Sequence, residues 1–129
     1  MGDPGGHAAT TRVLVVDDEP SIRLLCRVNL ELDGHEVVEA SSLATARDAL
    51  EQEDVDVVVL DVHLYRERSD ALVAECHARR PPIPVVLVTG SVEITDSGLS
   101  HADAILPKPF ELDQLLSTVS TLARAHAPR

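Results

Sequence analysis

The chain has 129 residues, of which 44% are apolar, so it is large enough to bury the core of one ordinary domain. Its formal net charge of −11 argues against a binding surface for nucleic acid or an anionic membrane, because such a surface needs a basic face. Protein partners and cations remain as the expected ligands.

The sequence carries no sign of secretion or membrane insertion. Residues 1–11 are polar and Gly-rich and predict a flexible N-terminal tail, and no apolar run approaches the ~20 residues that span a bilayer. Cys26 and Cys76 fit no metal-binding spacing and are interpreted as reduced core thiols. We expect a cytoplasmic protein with one domain at 12–125 and a short C-terminal tail at 126–129.

Five short apolar runs predict strands, most of them buried on both faces. In chain order they lie at about 12–16, 35–40, 55–60, 83–88 and 102–106. Amphipathic segments separate them, and this strict alternation implies a parallel sheet with helices on both faces. The last strand ends in prolines, which is typical of an edge strand.

Helical periodicity is clearest at 20–33, after Ser41-Ser42, at 71–80 and at 110–125, whereas 91–100 predicts at best a short helix. The predicted inward stripe of the first helix is Ile22, Leu25, Val28 and Leu32. The predicted inward residues of the others are Leu43, Ala46, Ala49 and Leu50, then Leu72, Val73 and Cys76, then Leu112, Leu115, Leu116, Val119, Leu122 and Ala123.

The carboxyl ends of four predicted strands carry polar or ionic residues. Asp17 and Asp18 follow the first strand, Asp61 the third, Thr89 the fourth and Lys108 the fifth. Each has an ordinary structural explanation alone: a helix N-cap, an Asx turn, a strand end or a surface charge. Together they predict a ligand site, because parallel strands bring their carboxyl ends to one edge of the sheet.

These residue types indicate a specific chemistry. Three carboxylates beside one lysine favour Mg²⁺, which prefers carboxylate and water oxygens. One carboxylate could act as a nucleophile and form an aspartyl phosphate, with the cation neutralising the incoming phosphoryl group. The lysine would then bind one phosphoryl oxygen, and the threonine hydroxyl would donate to another.

The segments VLVVDDEPSIR, VVVLDVHL, VVLVTG and ADAILPKPF resemble the receiver domain of two-component response regulators. The resemblance covers about 12–125 and implies a flavodoxin-like, doubly wound (βα)5 fold with a parallel sheet of order 2-1-3-4-5. It implies that Asp61 takes a phosphoryl group from the phosphohistidine of a sensor histidine kinase or phosphotransfer protein. Such a receiver is a signalling phosphoacceptor, not an enzyme beyond self-phosphorylation and autodephosphorylation.

The resemblance also implies the roles of the other site residues. The protein ligands of Mg²⁺ would be Asp18 directly, Asp17 mostly through water, Asp61, and the backbone carbonyl of His63. Thr89 would be the switch hydroxyl, and Lys108 would bind the phosphoryl group ahead of a cis Lys108–Pro109 peptide.

The implied partners are a kinase or phosphotransfer protein at the first helix, 20–33, and an unknown downstream protein. A homodimer through the face of the fourth helix is common in the family. We expect no direct binding of nucleic acid or membrane by this chain. We interpret it as a stand-alone receiver, which is either a single-domain regulator or a receiver cut from a longer protein.

Four features depart from the family pattern. Tyr65 stands where Pro is usual, Ile105 replaces a Tyr or Phe, and the Gly that usually opens the third helix is absent. The interval from Thr89 to Lys108 is also a few residues short. We therefore predict phosphorylation without the aromatic-rotamer switch.

Three further interpretations stay open. The His63 side chain and Ser91 could tune the phosphoryl lifetime, or His63 is an exposed loop histidine. The irregular 91–100 segment favours an interaction module independent of phosphorylation, which the intact set of site residues opposes. A phosphohydrolase with an aspartyl nucleophile is the third; such enzymes usually carry a second Asp where His63 stands, and this chain has no room for a substrate cap.

Overall fold

The structure is a computed structural model that describes residues 11–61, 66–89 and 102–126. Its strands are β1 (Arg12–Val16), β2 (Glu36–Ala40), β3 (Val57–Asp61), β4 (Val85–Thr89) and β5 (Ala104–Pro107). Its helices are α1 (Pro20–Leu32), α2 (Leu43–Gln52), α3 (Arg66–Ala78) and α4 (Leu112–His126). Predictions for residues 1–10, 91–100 and 127–129 lie outside the described residues.

The five strands form one parallel sheet in the order β2-β1-β3-β4-β5. Across the sheet Val16 is paired with Leu60, and Thr89 with Pro107. The prediction of a doubly wound parallel sheet is confirmed, and so is the position of the proline-terminated strand at an edge. This register brings the carboxyl ends of the strands to one side of the sheet.

Alternate strand residues divide the core into two layers, because successive side chains of a strand point to opposite faces. One layer lies under α1 and α4 and the other under α2 and α3. The predicted inward residues of α2, α3 and α4 are buried or half-buried in these layers. No helix in the described part of the chain is both long enough and apolar enough to cross a membrane.

The predicted inward stripe of α1 is largely wrong. Cys26 and Leu30 are buried and Ile22 packs beside them, so this row faces the sheet. Apolar residues occur on both sides of α1, and a period of 3.6 fits either row. The row that faces outward is Leu24 (58% exposed), Leu25 (44%), Val28 (44%) and Leu32 (81%).

Local signals set most helix ends as predicted. Gly34 follows α1 with φ +97°, a conformation that glycine adopts without a Cβ penalty. Ser42 caps α2 in a reciprocal capping box with Thr45. Helix α3 begins at Arg66, five residues before its predicted start, because the sequence RERSD has no apolar residue to mark a helical period.

Both cysteines are free and buried, as predicted. Burial raises the pKa of the Cys26 thiol to about 11 and that of Cys76 to about 12. Both are therefore unreactive core thiols at neutral pH.

Candidate functional site

Three carboxylates meet at the carboxyl edge of the sheet. Asp17 and Asp18 follow β1, and Asp61 is the last residue of the neighbouring strand β3. One carboxylate oxygen from each residue lies within 4.8 Å of the others. Asp17 and Asp61 are buried and Asp18 is exposed. The structure thus brings together the three acids predicted from the sequence.

Asp17 is fixed through its backbone and its side chain. Its N–H donates to the carbonyl of Ala40 at 3.1 Å, and its Oδ1 accepts from the N–H of Glu19 at 2.9 Å. Its carbonyl accepts from Nη1 of Arg23 at 2.7 Å. The N-cap of α1 is Glu19, which makes no side-chain capping bond, so neither Asp17 nor Asp18 serves as the helix cap.

Lys108 reaches the same cluster from β5. Its Nζ lies 3.3 Å from Oδ2 of Asp61, whose side chain is only 5% exposed. The N–H of Lys108 donates to the carbonyl of Thr89 at 2.7 Å, which ties the lysine to the end of β4. Thr89 is fully buried, and the Lys108–Pro109 peptide is cis, as expected.

Among the described residues at this edge, the carboxylates of Asp17, Asp18 and Asp61 outnumber the ammonium of Lys108. Burial raises the pKa of Asp17 from 3.8 to about 6, and the charge of Asp61 acts in the same direction. The hydrogen bond from Glu19 and the charge of Lys108 act against it without cancelling it. Ionised Asp17 is therefore costly in the folded protein, and a bound cation would relieve that cost.

The donor set fits a hard divalent cation. In an octahedral Mg²⁺ site, bonds of about 2.1 Å place opposite ligand oxygens about 4.2 Å apart. The three carboxylate oxygens lie within 4.8 Å of one another, so a single cation between them could contact all three. Exposed Asp18 leaves one side open to water ligands. The predicted carbonyl ligand of His63 lies outside the described residues, as do Tyr65 and Ser91.

Residues 13–120 match the model of the response regulator receiver domain family. The chain belongs to this family. The receiver is 35% identical over 122 residues to the transcriptional regulatory protein TcrA of Mycobacterium tuberculosis, covering 92% of this chain and 48% of that protein. It is 32% identical over 120 residues to the response regulator MprA of a Mycobacterium species, covering 91% and 52%. The receiver thus spans about half the length of these relatives.

Solved structures agree with the fold. A CheY-like response regulator receiver domain protein from Methanospirillum hungatei is 27% identical, with a TM-score of 0.81 over 91% of this receiver and 96% of that chain. A response regulator from Thermotoga maritima is 28% identical, with a TM-score of 0.75 over 89% and 98%. The family and the flavodoxin-like fold predicted from the sequence are confirmed.

Two charged residues beside the site were not predicted. Arg23, on α1, bonds the carbonyl of Asp17, and its Nε pairs with Oε1 of Glu39 on β2 at 3.1 Å. Arg23 ends the segment VLVVDDEPSIR, but no pattern of residue types predicts its contact with Glu39, because a contact between a helix and the next strand has no fixed sequence spacing. Ile105, which replaces the family aromatic, is half-buried against the layer under α2 and α3.

Proposed function

We propose that this receiver accepts a phosphoryl group on Asp61 in a two-component phosphorelay. The observation that carries the proposal is the meeting of three carboxylates within 4.8 Å, with Lys108 Nζ 3.3 Å from Asp61. Asp61 is buried at the end of a central strand, so the position of its carboxylate is set by the sheet. A fixed nucleophile needs no reorganisation to reach the phosphorus.

In the proposed transfer, a carboxylate oxygen of Asp61 attacks the phosphorus of an N-phosphohistidine on the donor protein. The new P–O bond forms as the P–N bond breaks, and the imidazole nitrogen leaves with the electron pair and takes up a proton. Asp17, Asp18 and Asp61, with the His63 carbonyl implied by resemblance, would hold Mg²⁺. Bound Mg²⁺ would supply charge neutralisation at the phosphoryl oxygens.

The conformational response to phosphorylation would involve Lys108 and Thr89. Once Asp61 is esterified, Lys108 can pair with a phosphoryl oxygen in place of the carboxylate. The backbone of Lys108 is tied to the end of β4, because its N–H donates to the Thr89 carbonyl at 2.7 Å. This coupling supports a two-state change at that edge, read by a downstream protein.

The exposed apolar row of α1 supports the docking of a donor protein on this helix. Leu24, Leu25, Val28 and Leu32 are spaced by three and four residues, so they form one continuous surface. Helix α1 also begins two residues after Asp18, so a protein docked there would lie beside the acids. We infer a signalling phosphoacceptor in the cytoplasm rather than an enzyme with an external substrate.

The test is the intact mass of the protein after incubation with acetyl phosphate, with and without Mg²⁺. We expect a phosphoryl adduct in wild type only with Mg²⁺, and none in Asp61→Asn. The matched control is Asp56→Asn, just before the other end of β3, which should form the adduct normally. No adduct in wild type would contradict the proposal and favour a phosphorylation-independent interaction module. An adduct retained by Asp61→Asn would contradict the assignment of Asp61 as the phosphoacceptor.

A further inference from the structure

The turn between β1 and α1 carries two of the three acids, and one guanidinium holds it. Arg23 Nη1 donates to the carbonyl of Asp17 at 2.7 Å, the shortest of the three bonds that fix Asp17. The Arg23 side chain is only 16% exposed. This contact is therefore partly buried rather than a fully exposed surface ion pair.

The bonded carbonyl belongs to the peptide unit that links Asp17 to Asp18. A peptide unit is planar, so fixing its oxygen fixes the orientation of the whole plane. That orientation sets ψ of Asp17 and φ of Asp18, and hence the relative directions of the two Cα–Cβ bonds from which the carboxylates extend. One hydrogen bond thus aligns two acids at once.

Arg23 is itself oriented from β2. Its Nε pairs with Oε1 of Glu39 at 3.1 Å, and Oε2 of Glu39 accepts from Nη1 of Arg27 at 3.0 Å. The bonds from Arg27 and Arg23 hold the pKa of Glu39 below its usual value, so Glu39 is ionised at neutral pH. Arg27 pairs in addition with Glu31 at 3.1 Å, on the outer side of α1.

We propose that Arg23, aligned by Glu39, is a positioning residue that sets the geometry of Asp17 and Asp18 for Mg²⁺. The inference rests on the proposed function, in which these acids bind the cation. It assigns to Arg23 no contact with Mg²⁺ or with the phosphoryl group. Groups that orient metal ligands in this way commonly change metal affinity by tenfold or more.

The test is the dissociation constant for Mg²⁺, measured by calorimetric titration of the full chain. Arg23→Gln should raise it about tenfold. Arg27→Gln is the matched control, because it removes the other partner of Glu39 and leaves the Asp17 carbonyl bonded; it should stay within about twofold of wild type. Glu39→Gln keeps the Arg23 guanidinium but weakens the bond that orients it, so it should raise the dissociation constant less than Arg23→Gln does.

A second readout needs no metal. In Arg23→Gln without Mg²⁺, the amide of Glu19, which bonds Asp17 Oδ1, should exchange with solvent faster than in Arg27→Gln, while amides of β3 should be unchanged. Equal Mg²⁺ affinity in wild type, Arg23→Gln and Glu39→Gln would overturn the inference alone. Failure of wild type to bind Mg²⁺ would overturn the proposed function, and the inference with it.

Discussion

The two ends of the sheet carry their charges in opposite ways. At the carboxyl end, Asp17, Asp18 and Asp61 face the single ammonium of Lys108. At the amino end, Arg12 pairs with two acids: its Nη2 lies 2.6 Å from Oε1 of Glu36, and its Nη1 lies 3.5 Å from Oε1 of Glu53. At the carboxyl end the acids lie against one another, whereas at the amino end Glu36 and Glu53 both pair with the Arg12 guanidinium.

Aspartates also border strands at the amino end, but there their carboxylates accept hydrogen bonds from backbone N–H groups. Oδ2 of Asp56 accepts from the N–H of Arg12 at 2.8 Å. Oδ2 of Asp103 accepts from the N–H of Val85 at 2.8 Å and lies 2.7 Å from Nε2 of His77. These carboxylates accept hydrogen bonds from N–H groups at the starts of β1 and β4, which would otherwise lack an acceptor.

An aspartate beside a strand therefore has two different uses in this molecule. At the amino end its partners are backbone amides and a histidine ring of the same chain, so it contributes to stability. At the carboxyl end other carboxylates are among its nearest neighbours, so the cluster needs a cation from outside. Substitutions should accordingly cost function at one end and stability at the other, and single substitutions at each end can break or sharpen that contrast.

The largest effect should come from Lys108→Ala at the carboxyl end. It removes the cation 3.3 Å from Asp61, so the developing negative charge of the transferred group loses a preorganised partner. We expect phosphorylation by acetyl phosphate, followed by intact mass, to slow about a hundredfold. A rate within twofold of wild type would show that the lysine is not part of the reacting site.

Asp17→Asn should stabilise the metal-free protein while it weakens Mg²⁺ binding. Asparagine keeps an oxygen for the Glu19 N–H but removes a buried charge beside Asp61. In urea unfolding with a chelator at pH 7.5, we expect a gain of about 3 kcal/mol in the free energy of unfolding, since each of the roughly two pKa units between 3.8 and about 6 corresponds to about 1.4 kcal/mol.

The pH dependence of that gain has a definite sign. Because the folded pKa of Asp17 is about 6 and its ordinary value is 3.8, the cost of ionised Asp17 is full above pH 6 and absent below 3.8. The difference between Asp17→Asn and wild type should shrink as the pH falls through this window. A difference that stays constant from pH 7.5 to 4 would contradict a buried, electrostatically crowded Asp17.

Substitutions of two leucines on α1 allow the two ends of the sheet to be compared on one helix. Leu24 lies about 6 Å along the helix from its start, near the acids, whereas Leu32 lies about 18 Å along it, near the amino end. We expect Leu24→Ser to slow phosphotransfer from a histidine-phosphorylated donor protein about tenfold, the effect typical of an interface anchor. Leu32→Ser should slow it less than twofold. Both variants should react with acetyl phosphate at the wild-type rate. If Leu24→Ser were slowed equally with acetyl phosphate and with the donor protein, a docking role for Leu24 would be excluded.

The smallest effect should come from the amino end. Asp56→Ala leaves the half-buried N–H of Arg12 without its acceptor and should lower the free energy of unfolding by about 1 kcal/mol. Asp56→Asn, which retains an acceptor, should lose less. Neither change should alter the rate of phosphorylation. A slower rate in Asp56→Ala would mean that the two ends are coupled through β3.

The sequence was sufficient for the sheet and for the residues at its carboxyl end. Long β-branched runs that end in charge allow few other structures, so Asp61 and Lys108 could be placed at one edge in advance. Helix α1 shows where periodicity fails: Leu25 and Val28 have helical spacing, yet Cys26 and Leu30 are the buried residues. Small core residues such as Cys26 give a weak hydrophobic signal, and the larger leucines dominate the pattern.

Contacts made through the backbone could not be predicted from residue type. The bond from Arg23 to the Asp17 carbonyl depends on the orientation of a peptide plane, which no side-chain pattern encodes. The same holds for Asp103, which bonds the amide of Val85 eighteen residues away in the sequence. Such partners become visible only when the strands are assembled.

The most direct test of the contrast is the free energy of urea unfolding with and without Mg²⁺. At a Mg²⁺ concentration 100 times its dissociation constant, a single site on the folded protein adds about 2.7 kcal/mol. We expect this gain in wild type and in Asp56→Asn, and little of it in Asp18→Asn. A gain in Asp18→Asn as large as in wild type, or no gain in wild type, would contradict a cation site at the carboxyl end.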